Sequence, residues 1–344
     1  MSTNFRFALI SLSFWCACAP QPGLPGSLDT VKPLDMALAE TVEVDSAVAK
    51  VIHDLSISTS DVDAASPADG ACLTYGDASV ATMRQGKSGC YRLSNVISIG
   101  LTPSSKSPTL FVQDGNGGAY SAVQTKCSST STAHPCTVAA DVHSIAVGHS
   151  VTLQGTYIKA MGGFEEFYID TVSDNGAATT TPNALTLGIA DVAKGSTQTA
   201  AWFQRVSVTL ASADTLLPYS LSPPELQSTY NGVPSTSCPY WYGFSLIPKS
   251  AKVTAGALCS GTTQPSAAAS KAAEILIGTD FYDGFTASSD CACASKYGDK
   301  LVTSTSTLSG KLQGILIFDS PIGGTGYQYV APQADTDAPI SNLK

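Results

Sequence analysis

The sequence predicts an all-β protein made of two small Greek-key barrels in tandem. Three observations lead there. The stretch Val151 to Asp174, VTLQGTYIKAMGGFEEFYIDTVSD, reads as two strands joined at Met161-Gly162-Gly163. It is echoed at Gly310 to Asp335, where Leu312-Gln313-Gly314 matches Leu153-Gln154-Gly155, Gly323-Gly324 matches Gly162-Gly163, and Tyr327 matches Phe167. The third observation is composition: 43% of residues are hydrophobic, enough for real cores, and only 13% are charged. That is about half the usual charged share, with Ser, Thr, Ala and Gly filling the difference, as in secreted β-proteins rich in turns. A length of 344 residues suits about two domains.

The N-terminus has the order of a targeting signal. Arg6 supplies the positive charge and Phe7 to Ala17 a short apolar run. The run is too short for a spanning helix, which needs about 20 residues. Cleavage at Ala17-x-Ala19 would leave Pro20 first, a poor substrate. Trp15-Cys16-Ala17-Cys18 instead resembles a bacterial lipobox, with Trp15 where that motif usually has Leu. The resemblance implies that residues 1–17 are a lipoprotein signal peptide and that Cys18 carries the lipid. Ala19 after it, rather than Asp, implies the outer membrane or cell surface of a Gram-negative bacterium. Without a lipid the protein would be freely secreted.

Cysteine parity agrees. Setting Cys16 and Cys18 aside leaves Cys72, Cys90, Cys127 and Cys136 in the first half and Cys238, Cys259, Cys291 and Cys293 in the second. Four per half suits disulfides in separately folded, oxidised domains. Sequence alone does not fix connectivity. Sequential pairing is the simplest expectation: Cys72 with Cys90, Cys127 with Cys136, and Cys238 with Cys259. Cys291-Ala292-Cys293 would be strained if bridged to itself.

Along the chain, residues 18–70 read as a tether, rich in Pro, Asp, Ser and Ala, with one weak helical patch from Leu34 to Val51. The first β-domain spans 71–187. Its strands are Cys90 to Ile99, Thr109 to Gln113, Ala119 to Gln124 and the two of the organising hairpin. Asp114-Gly115-Asn116-Gly117-Gly118 supplies the positive φ of a tight turn. A polar, Cys-bounded loop separates the third strand from the fourth. Five strands in this order suit a barrel of the OB type. The second domain, 188–344, repeats the order: Trp202 to Leu210 as first strand, a long insertion at 211–270, Glu274 to Tyr282 as second strand, and the closing hairpin.

The run LFVQDGNGGAY, then VGHSVTLQGTYIK, then FYIDTV resembles the OB-like domains of secreted bacterial proteins. His149 stands where that family usually has Asp. Such domains occur beside extracellular nucleases and in many lipoproteins. The resemblance specifies fold and transfers no catalytic residue.

Residues that could carry chemistry are few. His53, His134, His143 and His149 show no zinc or triad spacing. There is no nucleophile elbow, P-loop or dinucleotide fingerprint. His143 and His149 are a weak metal pair, and loop histidines the simpler reading. Asp114-x-Asn116-x-Gly118 is similar to the start of a calcium loop but lacks the downstream Glu, so a hairpin turn is the simpler reading. Glu165-Glu166 with Asp170 could suggest paired carboxylates; extended backbone puts the two Glu on opposite faces, and a solvated loop is expected. No catalytic residue, metal or cofactor is predicted.

Aromatic residues are the better signal. Phe111, Tyr120, Tyr157, Phe164, Phe167 and Tyr168 gather in the first half, and Trp241, Tyr242, Phe281, Tyr282, Tyr327 and Tyr329 in the second. Most are expected in cores. The chosen ligand-binding candidates are Trp241, Tyr242, Tyr168 and Tyr282. A net charge of −9 argues against nucleic acid. The expected function is a non-enzymatic, lipid-anchored envelope protein that binds a protein or glycan. The alternative is an accessory or degenerate domain of an extracellular hydrolase or nuclease system.

Overall fold

The computed structural model describes residues 72–344, apart from 130, 132–133, 160–163, 211–213, 221–228, 231–232, 235–242, 252–272, 282–294, 298–299, 304, 320–325 and 344. All of them belong to one compact unit, Asp63–Lys344. Residues 1–17, read as a signal peptide, Cys18 and the whole stretch 18–70, read as a tether, lie outside the described residues, as do Cys238, Cys259, Cys291 and Cys293.

The first half is a closed barrel. A short strand β1 (Gly76–Ala78) and helix α1 (Val80–Gln85) lead into β2 (Gly89–Leu101). Then come β3 (Leu110–Gln113), β4 (Ala122–Lys126), helix α2 (Ala139–His143), β5 (His149–Lys159) and β6 (Glu165–Ala177). The pairing order is β1-β2-β3-β4-β6-β5, and β5 returns to β2. β4 and β6 run parallel, with Thr125 opposite Phe167; the other pairs of the ring are antiparallel. This is the five-strand OB ring. Helix α2 sits between third and fourth strands, where the sequence read only a polar loop. Disulfides join Cys72 to Cys90 and Cys127 to Cys136, with Cα atoms 5.8 and 5.0 Å apart.

Alternation decides what each side chain meets. Leu110 and Val112 of β3, Val123 of β4, and Leu153, Tyr157, Phe167 and Ile169 of the hairpin fill the barrel. Their neighbours point outward, as the period of two requires.

The second half keeps the same order in an open, curled sheet. Its strands begin with β7 (Leu185–Gly188), β8 (Arg205–Thr209) and β9 (Thr215–Ser220). Two short pieces, β10 (Thr229–Tyr230) and β11 (Val233–Pro234), pair with each other before β12 (Gly243–Pro248) and β13 (Ile275–Gly278). β14 (Ser295–Tyr297) and β15 (Lys300–Val302) form another small pair. β16 (Thr307–Ser309), β17 (Leu312–Asp319), β18 (Tyr327–Ala331) and β19 (Ile340–Ser341) complete the chain. The large sheet runs β19-β16-β9-β12-β13-β18-β17-β8-β7.

β13 and β18 are parallel, as β4 and β6 are. β8 pairs with β17 as the start of β2 pairs with β5, and β9 pairs with β12 as the end of β2 pairs with β3. So β8 and β9 are the two halves of one first strand. The break lets β9 take β16 as its other neighbour, and the ring stays open there. This corrects the sequence reading. The segment read as an insertion contains β9 and β12, and Ile275–Gly278 is the third strand of the ring, not the second. Pattern alone misplaced it because β12, though buried, begins at Gly243, ends at Pro248 and does not alternate.

The repeated Leu-Gln-Gly has a physical reason. Leu153 and Leu312 are fully buried core residues. Gly155 and Gly314 sit where the strands of each hairpin cross so closely that a side chain does not fit. A Cβ at Gly155 would overlap the Tyr168 carbonyl oxygen, and one at Gly314 would stand 2.6 Å from the Ala331 carbonyl oxygen. The register also shifts between Gln154 and Gly155, adding the coil a small barrel needs. Gly155→Ala and Gly314→Ala should each lower stability by about 1–3 kcal/mol, read from urea midpoints. Gly76→Ala, whose new atom meets nothing nearer than 3.9 Å, should stay within about 0.5 kcal/mol. Equal midpoints for all three would contradict this reading.

Candidate functional site

The outward face of β3 and β4 is where an OB barrel ordinarily binds an oligonucleotide or oligosaccharide. Here the second half of the chain covers it. Ile97, Ile99, Phe111 and Ala122 join the second sheet's core, with Ile315, Leu316 and Ile317. The Phe111 ring meets Phe281 edge to face at 5.5 Å. Gln113 Nε2 donates to Gln204 Oε1 at 3.4 Å, and Gln333 Nε2 donates to the Ile99 carbonyl at 2.5 Å. Gly100 is crowded: a Cβ there would lie 2.6 Å from Ile315 Cδ1 and 2.9 Å from Phe281.

β4 runs along this junction with a charged group at each end. At the Ala122 end stands Arg84, with no exposed surface. Ser79 caps the helix that carries it, accepting from the Thr82 amide. Asp114 fixes the same helix end, accepting from the amides of Val80 and Ala81 at 3.0 Å each. The side chain similar to a calcium ligand in sequence is therefore a helix cap.

The Arg84 guanidinium donates to Glu165 Oε2 (2.5 Å), to the carbonyls of Ala122 (3.0 Å) and Trp202 (3.1 Å), and to that of Thr199 (2.8 Å). It also lies 5.3 Å from the ring centroids of both Tyr120 and Phe203. Those two residues have positive φ, 62° and 65°. Each such conformation costs about 1–3 kcal/mol and persists only where surroundings fix it. Here the Tyr120 amide donates to the Ala200 carbonyl and the Phe203 amide to that of Leu316.

At the Lys126 end is a polar and aromatic ridge. Lys126 Nζ lies 3.3 Å from Glu166 Oε1, and the Tyr168 hydroxyl donates to Glu166 Oε2 at 2.6 Å. The half-buried Tyr168 ring lies 4.2 Å from the His134 ring at 31°. His134 belongs to the loop clipped by Cys127–Cys136. Burial, then the Glu166 bond, pushes the Tyr168 phenol far up. The second sheet adds Asp280, whose Oδ1 accepts from the Tyr329 hydroxyl at 3.1 Å, and Asp319, which accepts from Tyr327 at 3.3 Å. The Lys126 charge reaches Asp280.

Of the candidates read from sequence, only Tyr168 is among the described residues; Trp241, Tyr242 and Tyr282 lie outside them. Phe111, Tyr157 and Phe167 are buried, as expected of core rings. Glu165 and Glu166 do point to opposite sides. They are not a solvated loop, however: each is 4% exposed and tied to a basic partner. His149 is bound to Asp174 at 2.9 Å, while His143 ends α2, exposed. The Gly176 amide, then His149, holds the Asp174 carboxyl below its ordinary range. Sequence reasoning missed Arg84 and Asp280. The first had a signal: a lone Arg in an apolar run behind a capping Ser, in a chain poor in charge.

Removing Arg84 strands Glu165 and three carbonyls in the interior. Arg84→Met should cost about 3–5 kcal/mol by urea denaturation. Arg84→Lys should rescue little, because a compact ammonium cannot reach these spread acceptors. Glu165→Gln should also cost about 3–5 kcal/mol, since it leaves the Arg84 charge buried without its counter-ion. Full rescue by Lys would contradict the guanidinium's role.

No protein-family model matches the chain, and no curated protein matches it. Among solved structures, the chain is similar to the asparaginyl-tRNA synthetase of Pyrococcus horikoshii at 15% identity and a TM-score of 0.22, over 29% of this chain and 22% of that one.

Proposed function

We propose that this protein is a non-enzymatic, lipid-anchored envelope protein that binds a glycan at the ridge around Tyr168. The observation that carries this is the tilted Tyr168–His134 ring contact, held half-exposed by a disulfide loop on one side and by Glu166 and Lys126 on the other. A pre-set ring pair beside the half-exposed Lys126 ammonium offers an apolar platform to the face of a sugar and a donor to its hydroxyl oxygens. Acidic residues outnumber basic ones 27 to 18, so a phosphate-rich partner is disfavoured. The ordinary OB platform for oligonucleotides and oligosaccharides alike is covered in the first barrel, which leaves the ridge at the Lys126 end as the candidate surface.

A second reading, an accessory or degenerate hydrolase domain, draws on the polar groups gathered near Asp280 and Lys126. It is the weaker one, because both Glu166 oxygens are already engaged.

The test uses the full chain expressed in a Gram-negative host. Intact mass of the mature protein should show an acylated N-terminus that Cys18→Ala abolishes. The mature protein should co-sediment with purified peptidoglycan sacculi. Tyr168→Ala should weaken that by about tenfold, the effect of about 1.4 kcal/mol of lost stacking. Tyr168→Phe should retain most of it. An unmodified N-terminus would remove the anchor. Absent co-sedimentation, or equal binding by Tyr168→Ala, would remove the glycan site.

A further inference from the structure

After β13 the chain turns through Thr279, Asp280 and Phe281, and these last two residues face different ways. Phe281 seats its ring on Phe111 of the first barrel. Asp280 turns back toward the second sheet and takes the Tyr329 hydroxyl on Oδ1. Its other oxygen lies over Gly278, where an added Cβ would stand 2.6 Å away. Oδ2 is buried and, among the described residues, has no hydrogen-bond partner. An ionised carboxylate left with one unpaired oxygen out of water is costly, while a neutral carboxyl is tolerated far better.

The ionisable groups around it do not offset that cost. Tyr329 and Tyr327 belong to β18, and Asp319 to the end of β17. Asp319 adds a like charge, and Lys126 of β4 an opposite one that is already engaged with Glu166. Tyr329 is held neutral: burial, then the charge of Asp280, pushes its phenol well above the ordinary value.

We propose that Asp280 is a pH-sensitive element of the junction between the two barrels: neutral, it packs against Tyr329 and keeps Phe281 seated on Phe111; ionised, it opens the Thr279–Phe281 turn to water and loosens that contact. Burial places the Asp280 carboxyl at about 6, against 3.8 for an ordinary Asp. A value raised on folding means the contribution is fully present below about pH 4 and is lost as pH rises through about 6. The junction is therefore tightest in mild acid and looser at pH 7.5.

The test is hydrogen exchange read by mass spectrometry on the full mature chain, corrected for intrinsic exchange rates. Protection of the peptide covering Ile275 to Phe281 should fall about tenfold between pH 5 and pH 7.5. In Asp280→Asn it should be the same at both. Equal protection in the parent protein, or the same fall in the variant, would overturn the proposal. Should Asp280→Asn not fold, an NMR titration of the Asp280 carboxyl decides instead. A midpoint near 6 supports the switch, and one in the ordinary carboxylate range overturns it.

Discussion

The structure depends on one buried cation. Arg84 sits on a helix of the first half, yet two of its hydrogen bonds go to carbonyls of the second, at Thr199 and Trp202. Its charge is matched by Glu165 on β6. Two bulky residues in the left-handed backbone region, one from each half, lie against it. A charge can be kept out of water only when it is paired and its donors are met. That requirement locks helix, barrel and second sheet into a single arrangement. Asp114 and Ser79 set the helix end, so even a surface hairpin contributes to placing the guanidinium.

That arrangement has a consequence for function. An OB barrel ordinarily offers its second and third strands to a ligand. Here β3 and β4 are buried on both faces, by the barrel's own core on one and by the second sheet on the other. What stays accessible is the margin beyond Lys126, where rings and carboxylates collect. The two ends of β4 thus do different work: the Ala122 end fastens the halves together, and the Lys126 end carries the polar surface.

Much of the fold was legible in the sequence because it is written in short-range terms. Alternation in LFVQ and YIDTV gave strands, Asp-Gly and Asn-Gly gave the hairpin, and the repeated Leu-Gln-Gly marked the crossing point of each hairpin. Sequential cysteine pairing in the first half was only the simplest expectation, and the structure forms both bonds. The second half was harder. Its first strand is broken between β8 and β9, and β12 is hidden in a long stretch without alternation, so strand order had to come from pairing. The site was the least legible part. Glu165 and Glu166 looked like a solvated turn because nothing local reveals that Arg84, 81 positions away, and Lys126 are their partners. Asp280 was read only as part of the strand Glu274 to Tyr282, because nothing local reveals that Tyr329 is its partner. Tyr168 was one of the aromatic candidates of the first half, and the structure places it half-buried beside Glu166 and His134.

The shared Arg84 network and the covered β3–β4 face predict that the two halves open as one cooperative body. Native-state hydrogen exchange of the full chain across a urea series tests it most directly. The slowest-exchanging amides of β5 and β6 should share one opening free energy and one urea slope with those of β17 and β18. Two distinct slopes, with one half opening while the other stays protected, would contradict the account.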